Sequence, residues 1–297
     1  MKHSLLTLST AVATLITGAT VQAQTTVSFG LRAGINLASR SGDDPKFILP
    51  APPANPGSSP VVTNTYQQDY TRSAIFAPQF GAVLDVRFGK LALQPAVLFS
   101  QKGVEQELIE TGTTTYTYTP SQPYQSSSKT TYHTTSRVNY IEIPLNLVYT
   151  SGGDHGFQVF AGPYIAFGVG GRAELEYESR TTSTNSNGNR YDYSYGNTFF
   201  VFRDAYPGPA ADTPNIGVAP FEASSGSIVA RRLDAGINAG IGYRFRMLQL
   251  QLGYGLGLLN QQPGNAPTFI REMPEYTQRV AQLTATYFFS PLNLNKK

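Results

Sequence analysis

The chain has 297 residues, no cysteine, 14% charged residues and a net charge of +3. So small an excess, without a basic block, excludes a nucleic-acid partner. The missing cysteines exclude a disulfide framework, a lipid-modified cysteine anchor and thiolate chemistry.

Residues 1–23 read as a secretory signal peptide. Lys2 and His3 form a short basic start, Leu5–Ile16 an apolar stretch, and Val21 and Ala23 the small residues before a cleavage site ahead of Gln24. No other stretch approaches the 18 apolar residues of a membrane helix.

The first predicted strand is Thr26–Ala38, with Val27, Phe29, Leu31, Ala33, Ile35 and Leu37 on one face and Ser28, Gly30, Arg32, Gly34 and Asn36 on the other. A polar segment follows over 39–72, whose prolines argue against regular ladders. The second strand, Ile75–Phe88, sets Phe80, Leu84, Val86 and Phe88 against Gln79, Asp85 and Arg87. Gly89-Lys90 forms a tight turn into the third, Leu91–Gly103, which alternates up to Lys102. Residues 105–136 are rich in Thr, Ser, Tyr and Gln and read as a long loop.

The fourth strand is Val138–Thr150, with Ile141, Ile143, Leu145, Leu147 and Tyr149 opposed to Glu142 and Asn146. The short turn 151–155 leads to the fifth, from Gly156 as far as Tyr177, which carries Phe157, Val159, Ile165 and Phe167 on one face. A third polar segment spans 178–230. The sixth and seventh strands, Leu233–Phe245 and Leu248–Leu258, alternate for about a dozen residues each around Arg246-Met247, longer than an ordinary globular strand. A fourth polar segment covers 260–276. The eighth strand is Thr277–Phe289, and residues 290–297 form a polar tail.

Eight strands are thus joined alternately by three tight turns and four long polar connections. With a periplasmic N-terminus, every tight turn falls on the periplasmic side and every long loop outside. This is an all-β, eight-stranded antiparallel transmembrane β-barrel spanning 24–289, located in the outer membrane and surrounded by its lipid. Phe29, Phe88, Tyr149, Phe157, Tyr243, Phe245, Tyr287 and Phe289 cluster at the periplasmic ends as an aromatic girdle. Phe76, Phe99 and Phe167 are candidates at the outer end. Inward parity gathers Arg32, Asp85, Arg87, Lys102, Glu142, Asp234 and Arg244. In so narrow an interior these charges are expected to pair, leaving a packed lumen rather than a water-filled slot. Inward glycines, among them Gly30, Gly236, Gly240 and Gly253, are expected to make room for long side chains from the opposite wall. Pro78, Pro95, Pro144 and Pro163 fall inside strands, where bulges are expected.

The stretches FGLRAGINLAS (29–39), FAPQFGAVLDVRF (76–88), LALQPAVLFSQKG (91–103), VNYIEIPLNLVY (138–149), FAGPYIAFGVGG (160–171) and LDAGINAGIGY (233–243) resemble the PorT-family outer-membrane β-barrel domain of Bacteroidota. The resemblance covers the eight strands and leaves the long loops unmatched. It implies an eight-stranded barrel, similar in architecture to small OmpA/OmpX-type barrels, and accounts for the prolines as shared features. Namesake members are linked to protein secretion across the outer membrane. The ending Leu283-x-Ala285-x-Tyr287-x-Phe289 resembles a signal read by the barrel-assembly machinery, with eight residues following the last Phe.

His133, near Ser136 at the outer rim, is the one arrangement resembling a hydrolase or acyltransferase site, and a solvated loop histidine is the simpler reading. His155 lies in a periplasmic turn. No metal-ligand spacing and no phosphate-cradling loop is present, so no cofactor is expected. Tyr116, Tyr118, Tyr191, Tyr193 and Tyr195, with Phe199-Phe200-Val201-Phe202, sit in the long loops, where alternating Tyr could extend strands and offer a contact surface to a protein or glycan partner. The expected function is a non-enzymatic barrel with a structural or loop-mediated binding role. The alternatives are a secretion accessory or small porin-like channel, and an outer-membrane enzyme.

Overall fold

The computed structural model describes residues 25–43, 46–47, 61–117, 123–185, 187–202, 231–261, 270–272 and 275–289. The expected signal peptide, the polar tail and the segment 203–230 lie outside them. The strands are β1 (Thr25–Gly42), β2 (Lys46–Phe47), β3 (Val61–Ser73), β4 (Ile75–Phe88), β5 (Leu91–Thr117), β6 (Pro123–Thr150), β7 (His155–Thr184), β8 (Arg190–Phe202), β9 (Leu233–Phe245), β10 (Leu248–Gly257), β11 (Ile270–Glu272) and β12 (Tyr276–Phe288).

Eight of them close a ring. β1 pairs with β4, and the order runs on through β5, β6, β7, β9, β10 and β12 back to β1, antiparallel throughout. These are the eight strands the alternation predicts. Closure leaves no unpaired edge within the ring, which matters wherever no water can replace a lost ladder bond.

The ring is apolar outside and polar inside. In β10, Leu250 and Leu252 are exposed while Gln249 and Gln251 are buried; in β1, Leu31 and Ile35 are exposed while Arg32 and Asn36 are buried. A water-soluble protein buries its large apolar residues and exposes its charges. The inverse arrangement, repeated around the ring, is what a lipid-facing barrel requires.

All four long segments depart from the loop reading, the fourth only through β11, which pairs with β2. Residues 105–117 and 123–136 prolong β5 and β6 as one hairpin, paired from Glu105↔Thr135 up to Thr117↔Pro123. β7 runs on to Thr184, and β3 and β8 add to β5 and β7 beyond the ring. The result is a five-stranded sheet, β3-β5-β6-β7-β8, rising from one side of the barrel mouth. Its sequence lacks hydrophobic alternation because water can reach both faces. The β-branched Thr-rich chain still fits a pleated surface.

The prolines do not form bulges. Val83↔Ala96 and Val86↔Leu93 hold one register on either side of Pro95. The same is true across Pro144, between Pro95↔Leu145 and Leu98↔Glu142. It holds again across Pro163, between Pro144↔Tyr164 and Leu147↔Ala161. Pro78 pairs in register with Ile35. Pro95, Pro144 and Pro163 each leave pairs missing in the ladder to the preceding strand while the opposite ladder stays paired, so the cost is lost bonds and not an inserted residue. The shifts among the ring strands and their extensions lie elsewhere, at Asn139/Tyr140 opposite Gly168 and Gly170, and at Tyr177/Ser179.

Gly30, Gly236, Gly240 and Gly253 receive rings from nearby strands of the wall rather than long chains from across the lumen. A Cβ at Gly236 would meet Tyr164 Cε1 at 2.7 Å, one at Gly240 would meet Phe160 Cζ at 2.6 Å, and one at Gly30 would meet Phe288 Cδ1 at 2.7 Å. Phe160, Tyr140 and Phe288 share the parity of the inward polar residues and are buried with them, a placement that apolar alternation alone does not signal.

Candidate functional site

Strand parity places the seven charged residues Arg32, Asp85, Arg87, Lys102, Glu142, Asp234 and Arg244 inside, and all seven are buried. Six of them form two clusters at different heights. The lower one centres on Asp85. Arg244 Nη1 donates to Asp85 Oδ2 at 2.9 Å, Arg87 Nη2 lies 3.3 Å from the same oxygen, and Gln94 Nε2 donates to Oδ1 at 2.7 Å. Arg87 also donates to Thr150 Oγ1 at 3.2 Å and to the Gly153 carbonyl in a tight turn. Arg244 donates to the Arg246 carbonyl and lies over the Phe288 ring, 4.3 Å from its centroid. The amides of Gln94, Gln158 and Gln249 bridge this layer.

The upper cluster centres on Lys102, eight residues along β5 from Gln94, roughly 27 Å of extended strand. Its Nζ lies 2.8 Å from Glu142 Oε2 and 3.0 Å from Asp234 Oδ2. It also sits 4.4 Å from the Tyr164 ring centroid and 5.3 Å from that of Tyr140. Tyr164 donates to Asp234 at 3.2 Å. Arg32 lies apart from both clusters, donating to Thr286 Oγ1 at 2.9 Å and Gln251 Oε1 at 3.0 Å. A buried charge without a partner costs several kcal/mol, so the pairing decides whether such an interior is stable. Which inward residues meet across the barrel depends on strand stagger, which the sequence does not display.

The aromatic residues expected to form a girdle, at the tight-turn ends of the strands, face outward. Phe29, Phe88, Tyr149, Phe157, Phe245, Tyr287 and Phe289 are exposed, and Tyr243 is half-buried. Phe29 stacks on Phe289 at 5.9 Å, and Phe157 meets Tyr243 edge-on at 5.2 Å. At the other end Phe76 is exposed and Phe80 stacks on Phe99 at 5.0 Å.

Above the ring, register fixes which residues share a face. Tyr66 pairs with Gly112, Tyr116 with Tyr124, and Thr181 with Tyr193. All lie on the side continuous with the lumen, and the Tyr116 and Tyr124 rings are 5.6 Å apart. The opposite side carries Asp69, Glu105, Glu107, Lys129, Glu176 and Arg180. There Arg180 pairs with Glu178 at 3.0 Å and Arg190 with Asp192 at 3.1 Å. Thr182 Oγ1 donates to Asp192 at 2.7 Å, which with Arg190 holds that carboxyl below its usual range. Tyr191 and Tyr193 are exposed; Tyr118 and the side chains of 195–202 lie outside the described set.

His133 and Ser136 are not brought together. His133 Nε2 lies 3.4 Å from Glu105 Oε1 on the charged side, while Ser136 is buried on the lumen side. Three residues apart on a strand means opposite faces. His155 bonds Asp154 at 2.7 Å in a tight turn, an interaction that lowers the Asp154 pKa. Among the described residues no cluster of His, Asp or Glu could hold a metal ion.

No curated protein matches the chain. Among solved structures it is similar to a deltaS2S3 mutant of the TodX monoaromatic hydrocarbon channel, at 7% identity and a TM-score of 0.21, over 89% of this chain and 91% of that one. It is also similar to the translocator domain of the autotransporter NalP from Neisseria meningitidis, at 8% identity and a TM-score of 0.19, over 97% and 96%. Residues 22–261, well over half the chain, match the family described as outer membrane protein beta-barrel domain. The chain belongs to that outer-membrane β-barrel family, and its place is the outer membrane.

Proposed function

We propose that the barrel is a closed, non-enzymatic anchor whose extracellular sheet is its working surface. The observation that carries this is the two-level closure of the lumen, around Asp85 below and Lys102 above, beneath a sheet that continues three wall strands outward. A pore needs a continuous polar path, and paired charges fixed at two heights obstruct one. The separation of His133 from Ser136 argues against a hydrolase or acyltransferase.

Residues 1–23 direct export, lipid surrounds the ring, and the outward Leu283, Ala285, Tyr287 and Phe289 of the closing segment are read by the barrel-assembly machinery. The partner engaged by the sheet is a protein or a glycan. A second reading, secretion accessory, rests on the resemblance of strand segments such as VNYIEIPLNLVY to the PorT family of Bacteroidota. The test is planar-bilayer conductance of the purified protein together with in-membrane crosslinking from the sheet. No stable conductance and a crosslinked adduct are expected. A steady, reproducible pore overturns the closed barrel, and an adduct confined to the protein-secretion apparatus favours the second reading.

A further inference from the structure

We infer that the lumen-side face of the extracellular sheet binds an uncharged polysaccharide. This rests on the binding-surface reading above and adds the chemical class of ligand.

The two faces differ sharply in chemistry. Pairing puts Asp69, Glu105, Glu107, Lys129, Glu176 and Arg180 on one side. On the lumen side, the described charges of the projecting strands are Arg72 and Glu110, and both are engaged. Glu110 accepts from Gln68 Nε2 at 2.7 Å, and Arg72 lies against the Tyr70 ring at 5.4 Å. The rest of that face is mostly tyrosine, serine, threonine, glutamine and asparagine, with Val62, Val104 and Leu108 spaced along it as its aliphatic side chains among the described residues. Tyr66, Tyr191 and Tyr193 are 37%, 46% and 55% exposed. Tyr191 and Tyr193 follow each other along one side of β8, about 7 Å apart.

Each ligand class asks for a different surface. Anionic polymers and lipid headgroups need clustered cations, which this face lacks. A protein interface centres on a desolvated apolar core with arginine anchors; this face offers only the separated Val62, Val104 and Leu108, and its arginine, Arg72, already lies against Tyr70. A sugar chain offers apolar C–H faces and many neutral hydroxyls. Tyrosine rings meet the first, while tyrosine, serine and amide groups hydrogen-bond the second without requiring charge. Flat rings with few rotatable bonds lose little entropy on binding.

The experiment is native gel electrophoresis of the detergent-solubilised full chain through gels containing neutral polysaccharides (a glucan, a mannan, a galactan and a xylan) or anionic ones (a sulfated glycan and polygalacturonate). Retardation by at least one neutral polymer, and none by the anionic pair, is expected. Tyr191→Ala/Tyr193→Ala should raise the apparent Kd at least tenfold, and Tyr66→Ala provides a second variant on a separate strand. Glu176→Ala on the opposite face should leave it unchanged. Heat-modifiable mobility checks that each variant remains folded. Retardation by no neutral polymer, or retardation indifferent to all three tyrosines, overturns the inference. If photo-crosslinking from position 193 then captures a protein, the sheet still binds and only the ligand class was wrong. If it captures nothing, the binding-surface reading fails as well.

Discussion

Phe160 reaches across two strands to Gly253. A Cβ at Gly253 would meet Phe160 Cζ at 2.9 Å, and no other residue lies closer than 3.6 Å. Phe160 is on β7, and its direct partner Gly240 on β9 pairs in turn with Gly253 on β10. The ring therefore packs where two side chains are missing. Gly253→Ala should destabilise the barrel by about 1–3 kcal/mol through overpacking. In a Phe160→Leu background the same substitution should cost much less, because its only close neighbour has shortened. Urea unfolding in micelles of the two singles and the double measures the coupling. Strictly additive costs would refute the contact.

Lys102 holds two carboxylates, and among the described residues no second cation lies within ion-pairing distance of them. Lys102→Met keeps much of the volume and strands Glu142 and Asp234 in a buried site. The expected loss is about 3–5 kcal/mol. Adding Glu142→Gln and Asp234→Asn removes the uncompensated charge and should recover most of it. Thermal unfolding of single and triple variants in the same detergent decides this. A Lys102→Met protein as stable as the parent would mean the cluster is not held dry.

The ring was legible because Leu250, Gln251 and Leu252 alternate and every tight turn falls at the same end of the strands. Parity also separates Asp85 and Arg244 from the lipid-facing residues. It does not say that these two meet, because β4 and β9 are not neighbours and their relative height follows from strand stagger. The sheet above the mouth was harder to see. Thr111, Thr113 and Thr115 alternate with residues nearly as polar, so the period-2 signal vanishes although the backbone stays extended. His133 and Ser136 are neighbours only if their segment is a loop; as strand it sets them on opposite faces. Pro144 suggested a bulge, whereas the ladder drops pairs and keeps register.

Asp192 should make the β7–β8 hairpin sensitive to acid. Its carboxyl is held below the usual range by Thr182 and then Arg190. A depressed folded pKa gives a contribution that is complete above the unfolded value, about 3.9, and lost as pH falls through the folded one. Backbone protection in β8, measured by hydrogen exchange and corrected for intrinsic rates, should fall on acidification below about pH 4. Thr182→Val should shift that loss to higher pH. The same pH profile in both proteins would show that the bond has no effect on Asp192.

The absence of cysteine lets single substitutions report topology directly. Ile241 and Leu252 point outward from adjacent strands at mid-height and are 61% and 55% exposed. In water such positions would be freely accessible, whereas acyl chains should shield them. Ile241→Cys and Leu252→Cys should therefore resist a membrane-impermeant charged maleimide in intact cells and react after solubilisation and unfolding. Glu176→Cys and Asp69→Cys, on the charged face of the projecting sheet, should label in intact cells. Lys90→Cys, in the β4–β5 turn, should label only once the periplasm is opened. Whole-cell labelling of Lys90→Cys with protection of Glu176→Cys would invert the barrel, placing the tight turns outside and removing the sheet from any extracellular ligand. Labelling of Leu252→Cys in intact cells would mean that the apolar face is not covered by lipid, which no outer-membrane barrel could sustain.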